Sequence, residues 1–466
     1  MPLINTVEQL WNDAAMPALM DFVRIPAKST AFDSHWEQNG YLFQACQLAQ
    51  KWIQSVFPQA HTEILSEKGR TPCLFLDIAS TSTELGNKTV VFYGHLDKQP
   101  EAGGWSDGLA PWKPVIRNGK LYGRGCADDG YSLFSMAVAV RALEKEGLPH
   151  PRIVGLFETQ EESGSLDLPH YLDKLQQKIG QPLAFIVLDN HCGDYERVWL
   201  SASLRGTICG TLEVQSMSFG VHSGTYSGMV PDPFGIAQAL VARLHDPVTG
   251  VVKIDSCYTP IPEKKIAELQ KAAQVLGNKV WNHAPLLTGV NTKLKDNAEI
   301  LIQETWKPAL TVIGISGLPD IANAGNVVPG KIALRLSMRI PPHIDVEKAA
   351  RDIETALTTD VPFGCISSWS HVEALPGWAS RKEDSFIEQS FNTASLKYFG
   401  TEAAITGQGG SISIISEFEK FFPAAEMILT GVLGPESNAH APDESLDLEY
   451  TKKLTAVVAE VISQIR

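Results

Sequence analysis

The sequence is poor in cysteine and in positive charge, and both shortages limit what the chain can be. Its 466 residues include seven cysteines, which are odd in number, scattered and without a C-x-x-C pair. This usage argues against a disulfide framework and against a cysteine-based zinc knuckle. The formal net charge of −14 repels phosphate backbones and gives no attraction to anionic lipids, so neither nucleic acid nor a membrane is an expected partner.

Long apolar runs and several catalytic motifs are also missing. No run approaches the length of a transmembrane helix, and the N-terminus lacks the basic and apolar regions of a signal peptide. We therefore expect a cytoplasmic location. No G-x-S-x-G elbow occurs, and no G-K-[ST] follows the glycines of "GRGCADDG" as it would in a phosphate-binding loop.

The chain does contain alternating strand-like and helix-like segments. Thr6 and Gln9 have the spacing of a capping box, and Pro17 is expected to kink or restart that first helix. Four runs are apolar without alternation, as strands buried on both faces are: "CLFLDI", "TVVFYGHLD", "RIVGLFET" and "LAFIVLDN". Between them, "SLFSMAVAVRALEKEG" predicts an amphipathic helix that ends at Gly147. This order predicts an α/β fold with a mostly parallel sheet flanked by helices.

A different pattern begins at about residue 205. The runs "TICGTLEVQ" and "KIALRLSMRI" alternate between apolar and polar residues, as half-exposed antiparallel strands do. The α/β pattern returns after about residue 380 and continues into a final helix that is expected to end at Arg466. We therefore predict a discontinuous α/β domain (1–204 and 381–466), interrupted by an inserted α+β domain (205–380).

Acidic and imidazole side chains follow several of the predicted strands or lie in nearby loops. They are His95, Asp97, Asp128, Glu161, Glu162, Asp189 and His440. Taken singly, Asp128 is most simply a helix cap and His440 a solvated loop residue. In a parallel sheet, however, the carboxyl ends of the strands form a common binding edge. Two imidazoles and several carboxylates at that edge suit Zn²⁺ or Mn²⁺.

The set contains enough ligands for two divalent ions. Two metals about 3.5–4 Å apart, bridged by one carboxylate, can stabilise a hydrolytic transition state. His95 and Asp189 can complete one site. Glu162 and His440 can complete the other, with Asp128 between the two.

Two acidic residues remain outside these ligand sets. Asp97 lies two residues after His95, on the same side of a strand, where it can orient an imidazole. Glu161 is left beside the attacking water, which is where a general base belongs.

These motifs together resemble the aminoacylase–carnosinase family of dinuclear zinc exopeptidases. Five segments stand in the order found in that family: "GHLDKQP", "GRGCADDG", "EESGS", "VLDN" and "NAHAPDE". The resemblance implies a zinc-exopeptidase-like catalytic domain that binds two metal ions per subunit. Zinc is the metal expected, and manganese is the alternative. It also implies that the inserted domain is a lid that forms a homodimer. The segments "EESGS" and "GGSIS" are most similar to the dipeptidase-like branch.

The resemblance further implies substrate contacts in the inserted domain and in the "GQGGSIS" segment. His222 would reach the active site of the neighbouring subunit and stabilise the oxyanion. Arg339 would bind the terminal carboxylate of the substrate. Asn326, Gly410 and Ser411 occupy further substrate-contact positions.

The function implied is metal-dependent hydrolysis of the amide bond in dipeptides or short peptides, with a water that two metals activate and Glu161 as the general base. Two alternatives stay open: a deacylase of N-acyl amino acids, and a catalytically silent metal-binding homologue. The chain departs from the family pattern at Gly130, where a lysine is frequent, and at Gln408, where a glutamate is frequent. Both departures bear on the substrate pocket.

Overall fold

The computed structural model describes residues 2–282, 284–382 and 384–465. The chain forms two compact units, which we call the α/β unit (Met1–Ala202, Ser380–Thr406 and Ser413–Arg466) and the α+β unit (Ser203–Ala379 and Gly407–Ile412). The segment Gly407–Ile412 groups with the α+β unit, whereas the predicted boundaries put it in the α/β domain. Among the described residues, no helix is long and apolar enough to cross a membrane.

The helices and strands are numbered in chain order. The helices are α1 (Leu3–Leu10), α2 (Met16–Val23), α3 (Trp36–Asn39), α4 (Tyr41–Val56), α5 (Tyr131–Glu146), α6 (Leu168–Ile179), α7 (Ser223–Tyr226), α8 (Pro233–Leu244), α9 (Glu263–Leu276), α10 (Asn297–Trp306), α11 (Val346–Thr358), α12 (Phe386–Phe399), α13 (Ser413–Phe421) and α14 (Leu448–Gln464). The strands are β1 (His61–Leu65), β2 (Cys73–Ile78), β3 (Thr89–His95), β4 (Val115–Arg117), β5 (Lys120–Tyr122), β6 (Arg152–Glu158), β7 (Ala184–Val187), β8 (Trp199–Leu204), β9 (Gly206–Gln215), β10 (Val221–His222), β11 (Ala309–Ser316), β12 (Val327–Val328), β13 (Lys331–Ile340), β14 (Ile366–Leu375), β15 (Trp378–Ala379), β16 (Ala404–Gln408), β17 (Glu426–Leu429) and β18 (Ser445–Asp447).

The main sheet of the α/β unit has the strand order β1–β2–β6–β3–β7–β17–β8. Its central strands β6, β3, β7 and β17 are parallel to one another. The pairs β1–β2, β2–β6 and β17–β8 are antiparallel. The predicted α/β fold is confirmed: the central strands are parallel, and β2 and β8 run against them, so the sheet as a whole is mixed.

The first ten residues of α5 are buried on every side, whereas its last turns expose Lys145 and part of Arg141, so the predicted amphipathic pattern is found only toward the C-terminal end of the helix. Side chains 131–140 are all buried, because α1 and α14 pack on the helix and β3 lies beside it. The buried hydroxyl groups of this part of the helix have hydrogen-bond partners inside the core. For example, Ser135 Oγ lies 2.8 Å from Thr455 Oγ1. Small residues and internally bonded hydroxyls therefore allow these ten residues to pack closely without a solvent-facing side.

The N-terminal helices begin and end differently from the prediction. Helix α1 starts at Leu3, so Thr6 lies inside it and is not a cap; its hydroxyl donates to Glu146 instead. A π-helical turn (Trp11–Ala15) separates α1 from α2, and Pro17 lies in the first turn of α2, as a restarting proline does. The last helix ends at Gln464, and its predicted end at Arg466 lies outside the described residues.

The α+β unit contains an antiparallel sheet with the order β11–β13–β9–β14. Alternate residues of β9 and β13 are buried, as their alternating sequences predicted. Helices α8 and α11 pack against this sheet, and the side chains of Asp232 and Asp345 cap their N-termini. A separate two-stranded ladder joins β10 to β12.

Candidate active site

The parallel strands of the α/β unit deliver polar side chains to one edge of the sheet. Strand β3 ends in His95 itself, and β7 ends two residues before Asp189. Strand β6 ends at Glu158 and is followed by a 3₁₀ turn (Glu161–Ser163). The edge expected from the sequence is therefore where the parallel neighbours β6, β3 and β7 all terminate.

The structure brings the five predicted metal ligands together in two groups that share one residue. The groups are His95, Asp128 and Asp189, and Asp128, Glu162 and His440, each with ligand atoms within 4.8 Å of one another. The buried Oε1 of Glu162 has no hydrogen-bond partner among the described residues. An unpaired buried carboxylate oxygen beside imidazole nitrogens is what a cation site requires, so these residues fit two divalent ions.

Asp128 lies between the two groups and turns one carboxylate oxygen to each histidine. Its Oδ1 is 3.2 Å from His95 Nε2, and its Oδ2 is 2.9 Å from His440 Nε2. Burial favours the neutral acid, yet hydrogen bonds from His440 and His95 hold the pKa of Asp128 below its usual range. The carboxylate is thus kept ionised and able to bind a cation on each side.

The two histidines show the reverse effect. Burial alone would lower the pKa of His95, but hydrogen bonds to Asp128 and Asp97 raise it well above its ordinary value. Hydrogen bonds to Asp128 and Glu162 raise the pKa of His440 to about 10. A metal ligand must be the neutral imidazole, so cation binding has to displace these protons.

Asp97 contacts both the histidine and the two glutamates. His95 Nδ1 lies 3.1 Å from the Asp97 carbonyl oxygen and 3.3 Å from its Oδ1. The same carboxylate accepts the backbone N–H of Glu161 at 3.2 Å and of Glu162 at 3.1 Å. Asp97 therefore fixes the turn that presents the predicted base and its neighbour, in addition to its predicted contact with His95.

The neighbouring glutamates differ in their contacts. Glu162 Oε2 lies 3.2 Å from His440 Nε2 and accepts a hydrogen bond from Gln99 Nε2 at 2.5 Å. The Glu161 carboxylate has no hydrogen-bond or ion-pair partner in residues 2–282, 284–382 and 384–465. Burial, together with the charge of Asp189, raises the pKa of Glu161 well above its ordinary value. A carboxyl group with a raised pKa and no fixed partner can both accept and donate a proton.

The sequence analysis missed three residues that contact these segments. Gln99 bonds Glu162, and the ion pair of Arg124 and Glu444 bonds the loop of Asp128. Arg124 and Glu444 lie within the quoted motifs "GRGCADDG" and "NAHAPDE", so the motifs held the signal. Local sequence does not reveal that a charged pair will be buried.

The departure at Gly130 has a steric explanation. A Cβ at this position would lie 2.3 Å from the ring of Phe22 and 2.5 Å from the carbonyl oxygen of Gly125. The Nζ of Lys98 lies 4.0 Å from the centre of the same ring. No side chain, and so no lysine, fits at position 130 in this packing.

The remaining predicted contact residues lie in the α+β unit, in two places. His222 is an exposed residue of the β10–β12 ladder, and Asn326 accepts the N–H of Ser223 at 2.9 Å next to it. Arg339 Nη1 donates to Ser411 Oγ at 3.1 Å, and exposed Gly410 precedes that serine. In the second place a guanidinium group thus contacts a glycine-rich loop whose exposed backbone could also bind a small ligand.

Residues 91–464 match the model of the peptidase family M20/M25/M40. The chain belongs to this family. All five ligands of the two groups fall within the matched range. Membership makes the chain a hydrolase of peptide bonds that depends on divalent metal ions.

Relatives of this M20 chain include named dipeptidases. It is 29% identical over 377 residues to the Cys-Gly metallodipeptidase DUG1 of Saccharomyces cerevisiae, covering 78% of this chain and 76% of that protein. It is 30% identical over 393 residues to the Beta-Ala-His dipeptidase of Rattus norvegicus, covering 78% and 75%. The crystal structure of human carnosine dipeptidase 1 has the same fold, with a TM-score of 0.79, 23% identity and 100% coverage of both chains.

Proposed function

We propose that this M20 chain is a dipeptidase that binds two divalent ions, which are zinc ions or, as the alternative, manganese ions. The observation that carries the proposal is the pair of ligand groups that share Asp128, with the unpartnered carboxylate of Glu161 beside them. His95 and Asp189 would hold one ion and Glu162 and His440 the other. The dipeptide substrates named for its relatives support this choice of substrate.

The chain's own residues would move the protons of the reaction. Bound ions would supply an acidified water and a polarised substrate carbonyl. Glu161 would take the proton from the attacking water and pass it to the leaving amine. This role requires a carboxyl group that has no fixed partner in either its ionised or its protonated form. Asp97 would keep Glu161 in position through its backbone N–H.

The α+β unit would bind the substrate. Arg339, supported by Ser411, offers a guanidinium to the C-terminal carboxylate. The exposed imidazole of His222 would stabilise the oxyanion of the tetrahedral intermediate, and Asn326 and Gly410 would make further contacts with the substrate. The seven cysteines are all unpaired, which supports a cytoplasmic location.

Removal of divalent ions should abolish hydrolysis of a dipeptide panel, and Zn²⁺ or Mn²⁺ should restore it. The reason is that Glu161 alone is too weak a base to deprotonate free water, so the attacking water would need the ions held by the ligand groups to lower its pKa. Release of free amino acids from Cys-Gly, β-Ala-His and other dipeptides, before and after chelation, measures this.

N-acetyl and N-succinyl amino acids are the matched controls, because they carry the same carboxylate but no second amino acid. Faster turnover of these compounds than of any dipeptide would establish the deacylase instead. Full activity in protein freed of metal would contradict the two-ion site itself.

We also propose that the chain is a homodimer through β11. This strand is at one edge of the α+β sheet, so one side of its backbone is unpaired there. It exposes several apolar side chains, with Ile313 58% and Ile315 56% accessible. A second copy can cover such an edge by pairing with it.

The substitution Ile313→Lys should convert the dimer to monomers, because each copy would bring a lysine to the shared edge in place of an apolar side chain. Size-exclusion chromatography with light scattering measures the mass. Ile366→Lys is the matched control, since Ile366 is also well exposed (69%) and lies on β14 at the opposite edge of the sheet. A dimer that survives Ile313→Lys would rule out this contact.

Mixed dimers would test whether His222 acts on the neighbouring subunit. Glu161→Gln and His222→Ala subunits are each expected to be inactive alone. After mixing and exchange, half of the dimers would carry one intact site, which gives about a quarter of wild-type activity. If His222 serves its own subunit, mixing would restore nothing.

A further inference from the structure

Arg124 and Glu444 form an ion pair that is almost completely buried close to the proposed metal ligands. Their side chains are 1% and 0% exposed, and Arg124 Nη1 lies 2.9 Å from Glu444 Oε2. Burying two charges is costly unless their other donors and acceptors are also used. Neither residue belongs to the ligand groups, so the pair must have another use.

The Glu444 carboxylate holds the backbone of the loop that carries Asp128. Its Oε1 accepts the N–H of Ala127 at 3.1 Å and of Asp128 at 3.2 Å. Its Oε2 accepts the N–H of Gly125 at 2.9 Å in addition to Arg124. Three amides of one loop and one guanidinium thus converge on a single side chain.

Arg124 connects this loop to two others. Its Nη2 donates to the carbonyl oxygen of Ala441 at 3.0 Å, directly after His440. Its Nε donates to the carbonyl oxygen of Pro100 at 3.1 Å, in the segment that follows His95. His440 has a φ of 63°, a backbone conformation that a non-glycine residue keeps only when its surroundings support it.

Strand pairing brings the two residues together. Ser445 of β18 pairs with Tyr122 of β5. Glu444 directly precedes this ladder and Arg124 follows it by two residues, so the fold places the pair where the ladder ends. The ion pair therefore joins three ligand-bearing segments at a point fixed by the sheet.

We propose that Arg124 and Glu444 are positioning residues that set the spacing between the two metal sites. The inference rests on the proposed function, since it assigns the pair a task in holding Asp128 and His440. It predicts that loosening the pair weakens metal binding even when the protein stays folded.

Glu444→Gln tests this, because the amide keeps the volume but puts an NH₂ group among backbone donors. We expect Zn²⁺ and Mn²⁺ affinity to fall about 10–100-fold, with faster amide hydrogen exchange in the segments around Gly125 and Ala441. Asp77→Asn is the matched control, as Asp77 accepts two hydrogen bonds from Arg152 (2.9 and 2.6 Å) at the other end of β6. Its metal affinity should equal that of the wild type.

Arg124→Lys is the second variant and decides the matter if Glu444→Gln does not fold. Lysine keeps the charge but cannot reach Pro100 and Ala441 together. We expect a smaller loss of affinity and an altered visible spectrum of the Co²⁺-loaded protein. Faster exchange with unchanged metal affinity in the folded variants would overturn the inference alone, whereas a wild-type protein that binds no divalent ion would overturn the proposed function and this inference with it.

Discussion

Glu161→Gln should lower kcat for dipeptide hydrolysis by about 10²–10⁴-fold while KM and metal content stay close to those of the wild type. The amide has nearly the same volume as the carboxyl group, but it cannot take a proton from the attacking water. Metal binding should survive, because the ligand groups contain Glu162 and not Glu161. The backbone N–H of Glu161 remains available to Asp97, so the turn should keep its shape.

The neighbouring residue supplies the control for this prediction. Glu162→Gln removes a ligand oxygen from the group of Asp128 and His440. Its main effect should therefore be a lower metal content, and turnover should fall as a consequence. Steady-state kinetics and metal analysis of the two variants separate a proton carrier from a ligand. The division of roles between the two glutamates would be wrong if Glu161→Gln lost metal, or if it kept more than a tenth of the turnover.

The sequence predicted those residues whose position follows from a strand end. His95 and Asp189 follow apolar runs that are buried as β3 and β7, and parallel strands end at one edge. His440 lies in a loop with left-handed backbone, where no strand end fixes its position, and the residues alone singled it out only as a member of a set of possible ligands. A loop's path depends on distant contacts, here those of Arg124, which no local pattern contains.

Errors in the fold prediction have the same origin. The apolar sequence of β2 does not indicate whether this strand runs parallel or antiparallel to its neighbours. Its antiparallel pairing with β6 depends on the connection that precedes it. In α5 the polar residues Ser132 and Ser135 are buried, because other elements cover that part of the helix. Burial on all sides is decided by what packs on a helix, so it is a property of the whole fold.

Asp128→Asn should have the other large effect, the loss of about 10³-fold or more in kcat together with weakened binding of both ions. Asp128 is shared by both ligand groups, with Oδ1 facing His95 and Oδ2 facing His440. Asparagine keeps one oxygen and replaces the other with a donor that cannot bind a cation. One site therefore loses a ligand outright, and the negative charge between the two ions disappears.

A ligand of one group alone provides the comparison. Asp189→Asn should weaken only the ion held with His95, so this variant should keep one tightly bound ion where Asp128→Asn keeps none. Isothermal titration calorimetry of the metal-stripped proteins with Zn²⁺ gives the number and affinity of the sites. Identical metal binding in the two variants would mean that Asp128 does not bridge. Replacing the shared carboxylate should lower metal affinity more than replacing a ligand of one group, because both ions depend on Asp128.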